Sequence, residues 1–183
     1  MIDALEQVLA DDLLDGLTTR PMEEVRSLRT QCAQVEADVS LARRVVQGRL
    51  DIIGYEARRR NGDADAADAL PGLLFDLPSL MTDEPRPGAP TTTPGARPVS
   101  INAPGDVAAA LVERLDAVAS PGKLTGVGTM SDAELAELLD RMRAYEIELS
   151  TVRRRLHDRI DAFQSEIGRR YRDGEASVDS LLR

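Results

Sequence analysis

Apolar residues recur along this chain at steps of three and four, and the pattern falls into separate stretches. The first is short. Ile2, Leu5, Leu9, Leu13 and Leu17 predict an acidic helix over 2–17, closed by Gly16 and the Thr18-Thr19 pair. Sixteen residues are marginal as a free helix, so the stripe needs a partner. Two partners fit it equally at this point, the protein's own helices or another protein. From Pro21 to about Arg60 the spacing is strict: Val25, Leu28, Cys32, Val35, Val39, Ala42, Val46, Leu50 and Ile53. This is the a/d seam of a coiled coil, with Pro21 suited to a first turn and Asn61-Gly62 to a stop. Gly48 lies inside it, either a point of close backbone approach or a tolerated accident. A second long helix is announced by the capping box Ser131-Asp132-Ala133-Glu134. Leu135, Leu138, Met142, Tyr145, Leu149, Val152, Leu156, Ile160, Phe163 and Ile167 then continue the same spacing to a stop at Arg172-Asp173-Gly174. Each long helix would extend roughly 60 Å.

Between them, residues 62–130 are rich in Ala, Asp and Pro, with a Thr91-Thr92-Thr93 tract, and read as a flexible linker. Two islands in it carry apolar residues. Leu73-Leu74-Phe75 through Leu80-Met81 suits a docking peptide or a patch on the hairpin. Gly105 to Val118 suits a short helix, from Val107, Leu111, Leu115 and Val118. The expected organisation is an N-terminal helix (1–19), a first coiled-coil helix (20–61), the linker (62–130), a second coiled-coil helix (131–173) and a tail (174–183). The expected fold is all-α, an intramolecular antiparallel coiled coil of two long helices with a short N-terminal helix.

Composition agrees with narrow seams rather than a large aromatic core. Only 3% of the 183 residues are aromatic and 30% are charged. No run of apolar residues approaches a membrane span, and the N-terminus Met1-Ile2-Asp3 lacks the basic start of a secretory signal, so a cytoplasmic protein is expected. Cys32 is the only cysteine, which excludes an internal disulfide and a zinc cluster. It sits on the seam and reads as a small core residue. The net charge of −9 disfavours binding to DNA or an anionic membrane and favours a basic protein partner. Lys123 is the sole lysine; every other cation is Arg. Lone His157 and lone Cys32 lie on separate helices, with no phosphate loop or nucleophile set, so no enzyme is expected.

The polar residues beside the seam are the informative ones. At an offset of 110, the first helix overlays the second seam on seam. At the same offset Glu36, Ser40, Arg43 and Asp51 fall on Glu146, Ser150, Arg153 and Asp161, while Gln47 falls on His157. The pattern Glu-x3-Ser-x2-Arg-x3-Gln/His-x3-Asp thus occurs twice. Every member lies one position after a seam residue, so each set forms a stripe along one edge of the seam. Both stripes are centred near mid-helix, and an antiparallel pair would relate them by an approximate twofold axis. Salt-bridged coiled-coil flanks explain Glu and Arg at such positions, but they give no role to Ser40 and Ser150. Guanine offers two acceptors to a forked Arg on one edge, and N1–H and N2–H donors to a carboxylate such as Asp51 or Asp161 on the other. Phosphates accept from Ser, Gln and the spare Arg donors. A twofold-symmetric ligand carrying both, such as cyclic di-GMP, would match a duplicated stripe.

With this motif in register on two coiled-coil helices, the sequence resembles the RsiG-type anti-sigma factors of actinobacteria. The resemblance covers both long helices. It implies that the ten stripe residues bind cyclic di-GMP, as two molecules on the coiled coil. It further implies that the loaded protein holds a WhiG-type sigma factor, of the flagellar and sporulation class, inactive. His157 departs from the Gln expected in the second copy; neutral imidazole still donates one hydrogen bond and brings a titratable group near neutral pH. The alternative reading is a ligand-independent coiled-coil adaptor. A direct DNA contact is not expected, since the net charge is acidic and neither long helix carries an extended basic run like the grip of a zipper protein.

Overall fold

A computed structural model describes residues 3–62 and 105–174. Its elements are α1 (Asp3–Leu9), a 3-10 turn (Asp11–Leu14), α2 (Met22–Arg60), α3 (Asp106–Ala119), α4 (Pro121–Thr125), a second 3-10 turn (Val127–Thr129) and α5 (Asp132–Arg172). Helices α2 and α5 pack along most of their lengths. They run antiparallel, because Arg26 of α2 bonds to Tyr171 at the end of α5, while Arg60 reaches Asp132 at its start. The predicted stops are real: Gly62 and Gly174 take φ of 77° and 72° one residue past the caps Asn61 and Asp173, a conformation that favours glycine. The capping box at Ser131 is complete in both directions.

The seam is buried as the spacing requires. Val25, Cys32, Val39, Val46 and Ile53 from α2 and Met142, Leu149, Leu156 and Phe163 from α5 are almost fully enclosed. Leu28, Leu50, Val152 and Ile160 are partly buried against them. Burial pushes the Cys32 thiol pKa up, only partly offset by the charge of Arg159, so it acts as an inert core side chain. Gly48 faces open space, since an added Cβ would meet nothing within 4 Å. Close backbone approach is therefore not its role.

Two expectations need correction. The N-terminal segment is not one helix to residue 17. It breaks after Leu9, because Arg159 of α5 donates Nη2–H to the carbonyls of Leu9 (2.9 Å) and Ala10 (2.8 Å). These side-chain bonds replace the next turn of helix, and Ala10 turns extended at φ −57°, ψ 137°. Val8 and Leu13 are buried, so within this chain the stripe packs back on the protein's own helices. The second concerns the linker boundary: the short helix expected over Gly105 to Val118 is present as α3, but the residues that follow it to 130 are helical turns rather than flexible linker. Val107, Ala108, Leu111, Leu115 and Ala119 bury the inner face of α3 against the coiled coil. Asp38, itself buried, accepts from the Gly105 N–H at 3.2 Å and anchors the start of α3. A Cβ on Gly105 would clash with the Asp38 carboxylate, so a larger residue there would force that buried side chain to give up its place. Buried Tyr145 donates to the Leu111 carbonyl at 2.8 Å in the middle of the helix. Pro121 starts α4 with Ser120 as its cap. The island at 73–81 lies outside the described residues.

The tertiary contacts also show that the repeat is far longer than the stripe. Arg49 donates to the Ala119 carbonyl at the end of α3, as Arg159, its mate 110 residues on, does to Leu9 at the end of α1. Arg60 donates to the Val127 carbonyl at 3.0 Å, and its mate Arg170 to Leu17 at 2.8 Å. Thr19 bonds back to Gly16 and Thr129 to Gly126. Each half is therefore a short helix, a tight turn and a long helix, and a pseudo-twofold axis relates the halves.

The same symmetry builds a matching clamp near the end of each long helix. Glu56 accepts from Arg59 and Arg60, and Glu166 from Arg169 and Arg170, at 2.6–2.9 Å. These arginine hydrogen bonds outweigh burial and hold both carboxyls down to about 2. A depressed carboxyl contributes stability that is complete above its unfolded pKa, about 4.5, and is lost as pH falls toward 2. Urea midpoints are therefore expected to fall below about pH 4.5, and a Glu56→Gln/Glu166→Gln variant should show a flatter profile there. An unchanged slope would show that the clamps carry no pH-linked stability.

Candidate functional site

On α2 the stripe occupies one flank of the seam. At 100° per residue, Glu36, Ser40, Arg43 and Gln47 lie on one side and Asp38, Val45 and Arg49 on the other. The second flank is where α3 docks, through Asp38 and Arg49. On α5 the corresponding flank, with Arg155 and Arg159, holds the end of α1. The short helices therefore cover one side of the coiled coil, and the twin stripes share the other.

There the structure brings eight of the ten expected residues into two cross-helix knots. In one, Arg153 donates Nε–H to Glu36 Oε1 at 2.9 Å and to Ser40 Oγ at 3.0 Å. Ser40 donates to the same Glu36 oxygen at 2.7 Å, and His157 Nε2 lies 3.2 Å from it. In the other, Arg43 donates Nε–H to Ser150 Oγ at 3.1 Å and lies 3.4 Å from Glu146 Oε1. Ser150 donates to Glu146 at 2.9 Å and Gln47 Nε2 donates to it at 3.4 Å. The two knots are the same set of partners exchanged between helices, so the twofold relation holds residue by residue, with Arg153 hydrogen-bonded to Glu36 where Arg43 stands 3.4 Å from Glu146. The serines now have a role: each is a short bridge that ties its own helix's Glu to the arginine arriving from the other helix. Gln47 and His157 occupy equivalent places and make equivalent contacts, so the substitution preserves the knot.

Burial acts to raise the Glu36 pKa. The hydrogen bonds from Ser40 and Arg153, with the charges of His157 and Arg153, outweigh it and keep the carboxyl lowered. Both arginines are held by Nε alone. Among the described residues their Nη groups make no hydrogen bond, which leaves each guanidinium with a fork of four unengaged N–H donors. The forks belong to half-buried side chains, 26% exposed for Arg43 and 40% for Arg153. Asp51 and Asp161 do not join the knots. Both are exposed, and among the described residues neither makes a hydrogen bond or ion pair. The face therefore carries two pre-oriented cationic forks and two unengaged carboxylates, which is the donor and acceptor set for planar polar groups and phosphates.

Residues outside the stripe also belong to this neighbourhood. A groove of about 410 Å³ runs beside Asp51, lined by Gln47, Leu50, Asp51, Arg143, Glu146 and Ile147. Arg143 and Ile147 were not singled out from sequence, because each interrupts no spacing and lies off the seam. The signal that points to them is a departure from the repeat: their mates 110 residues earlier are Ala33 and Ala37.

No group of three or more His, Cys, Asp or Glu among the described residues is placed to hold a metal. No helix among them is long and apolar enough to cross a membrane. No curated protein matches the sequence significantly. The model of the RsiG-like family matches residues 11–74 and 121–183, two regions whose starts are separated by the 110-residue period of the fold. With most of the chain covered and both stripes inside the matched regions, the chain belongs to the RsiG-like family, an assignment that points to an anti-sigma role rather than an enzymatic one.

Proposed function

We propose that this protein is a cytoplasmic anti-sigma factor that binds two molecules of cyclic di-GMP on its twin stripes. Loaded in this way, it sequesters a WhiG-type sigma factor of the sporulation class and represses that factor's genes. One observation carries the reading: two symmetry-related arginine forks and two unengaged aspartates share one flank of the coiled coil. The glutamates and serines orient the forks, and the forks take the guanine acceptor edges or the phosphates. Asp51 and Asp161 take the guanine N1–H and N2–H donors. Gln47 and His157 complete the polar lining. The ligand brings two negative charges per molecule to a site where the arginine forks are ready and the rest of the chain is acidic.

Coupling to the partner follows from linkage. If the dinucleotides favour the sigma-bound state, sigma tightens dinucleotide binding by the same factor. The acidic surface suits a partner that uses basic surfaces on promoter DNA. The test is a calorimetric titration with cyclic di-GMP and cyclic di-AMP, for the protein alone and with a WhiG-type sigma factor. Saturation near two ligands per chain, selective for guanine, is expected. Silence with both samples would leave the chain a ligand-independent coiled-coil adaptor.

A further inference from the structure

The twofold relation between the halves is close at the knots and fails at one place. At the Asp51 end, α5 contributes Arg143 and Ile147 to the groove; at the Asp161 end, α2 offers Ala33 and Ala37 in their positions. The knots differ in tightness in the same sense. Each glutamate is held by its own helix's serine, at 2.7 Å for Glu36 and 2.9 Å for Glu146. From across the seam, Glu36 is reached at 2.9 Å by Arg153 and 3.2 Å by His157, whereas Glu146 lies 3.4 Å from both Arg43 and Gln47. The Asp51 end is therefore the more loosely tied across the seam and the better furnished.

Ile147 is 63% exposed, the more exposed of the two large apolar side chains on the described surface. Its exposure on the water-facing side of the helix serves nothing in the free protein, but beside Leu50 it forms an apolar wall for a flat ring. Arg143 has only a loose contact with Asp140, at 3.7 Å between two well-exposed side chains, so little holds it from turning into the groove. Across the groove stands the unengaged carboxylate of Asp51. A carboxylate for N1–H and N2–H, an arginine for the opposite edge or an adjoining phosphate, and an apolar wall for the ring face together make a guanine nucleotide subsite.

We infer that Arg143 and Ile147, which lie outside the repeated motif, make the Asp51 end the higher-affinity guanine subsite, so that the two cyclic di-GMP molecules bind in two unequal steps. This rests on the proposed cyclic di-GMP reading and specifies which half of the site fills first. The Asp161 end holds the second molecule with the motif residues alone.

The wild-type chain and the Arg143→Ala and Ile147→Ala variants are titrated with cyclic di-GMP by calorimetry, with the sigma factor present if the wild type needs it. The wild type is expected to show two resolved steps. Arg143→Ala should weaken the first by about tenfold or more, the loss of a charged hydrogen bond, and leave the second in place. The reciprocal variant Ala33→Arg/Ala37→Ile should draw the two steps together. In a methyl-labelled sample, the Ile147 signal should shift within the first equivalent of ligand. Because both side chains are exposed, folding is checked simply by circular dichroism. Wild-type binding that is unaltered in both alanine variants, with a static Ile147 signal, would overturn this inference and leave the cyclic di-GMP reading standing. Absence of binding by the wild type, with and without sigma, would instead remove the reading on which it rests.

Discussion

An Arg43→Ala/Arg153→Ala variant is expected to lose cyclic di-GMP binding by about a hundredfold or more while remaining folded. Charge-assisted hydrogen bonds are each worth about 1.5–3 kcal/mol, and the variant removes the unengaged fork from both halves of the site. It also removes the cations that neutralise Glu36 and Glu146. Two bare carboxylates would then face a ligand with two phosphates, so the loss exceeds the missing hydrogen bonds. The fold should tolerate the change. These are half-exposed cross-helix pairs, and such pairs contribute about 1 kcal/mol or less. Arg43→Lys/Arg153→Lys separates two explanations. Lysine keeps the charge but offers a point donor in place of a fork, so binding should stay weak. Full rescue by lysine would show that charge alone is read, and undiminished binding in the alanine variant would remove the arginines from the site.

The largest stability effect is expected at Phe163. It is fully enclosed, the largest side chain among the described residues to be so, and one of only two phenylalanines in a chain without tryptophan. Truncating a buried Phe to Ala costs about 3–5 kcal/mol, the lost transfer energy plus the cavity left behind. A narrow two-helix seam has few neighbours able to collapse into such a hole, so the upper part of that range applies. The repeat supplies the comparison. Ile53 occupies the equivalent place in the first half and is equally buried, so Phe163→Ile imports a side chain that the fold already uses at that register. Chemical denaturation should show a large drop for Phe163→Ala and a clearly smaller one for Phe163→Ile. Equal losses would mean that the two halves pack too differently for the repeat to guide core substitution.

Both predictions draw on features with different origins. The seam, the caps of the long helices and the stripe were all legible in the sequence because they are periodic and local. A step of three or four residues places side chains on one face whatever the surroundings, and the box at Ser131 closes within one turn. The 110-residue offset was legible in the motif because five positions kept their chemistry. It was not legible beyond the motif, where only scattered pairs survive, such as Gly16 with Gly126 and Glu56 with Glu166. Those pairs became a repeat only when their contacts were seen to correspond.

The short helices show where local reading ends. Nothing in the spacing of Leu9 and Leu13 stops a helix at Leu9; an arginine about 150 residues away does so by taking the terminal carbonyls. The spacing of Val107, Leu111, Leu115 and Val118 marked α3 within the Pro-rich stretch, but not where it docks, because α3 is held by Asp38, Arg49 and Tyr145, all on other helices. The stripe divides in the same way. Sequence alone placed Glu, Ser, Arg and Gln or His on one helical edge, since that depends only on 3.6 residues per turn. Only the antiparallel pairing decided that each arginine would be tied to the other helix's Glu and Ser through Nε, with its Nη donors, Asp51 and Asp161 left unengaged. The physical reason is that a periodicity fixes which face a residue occupies, whereas the partner it meets there is set by the register between two helices, and register is a property of the whole seam.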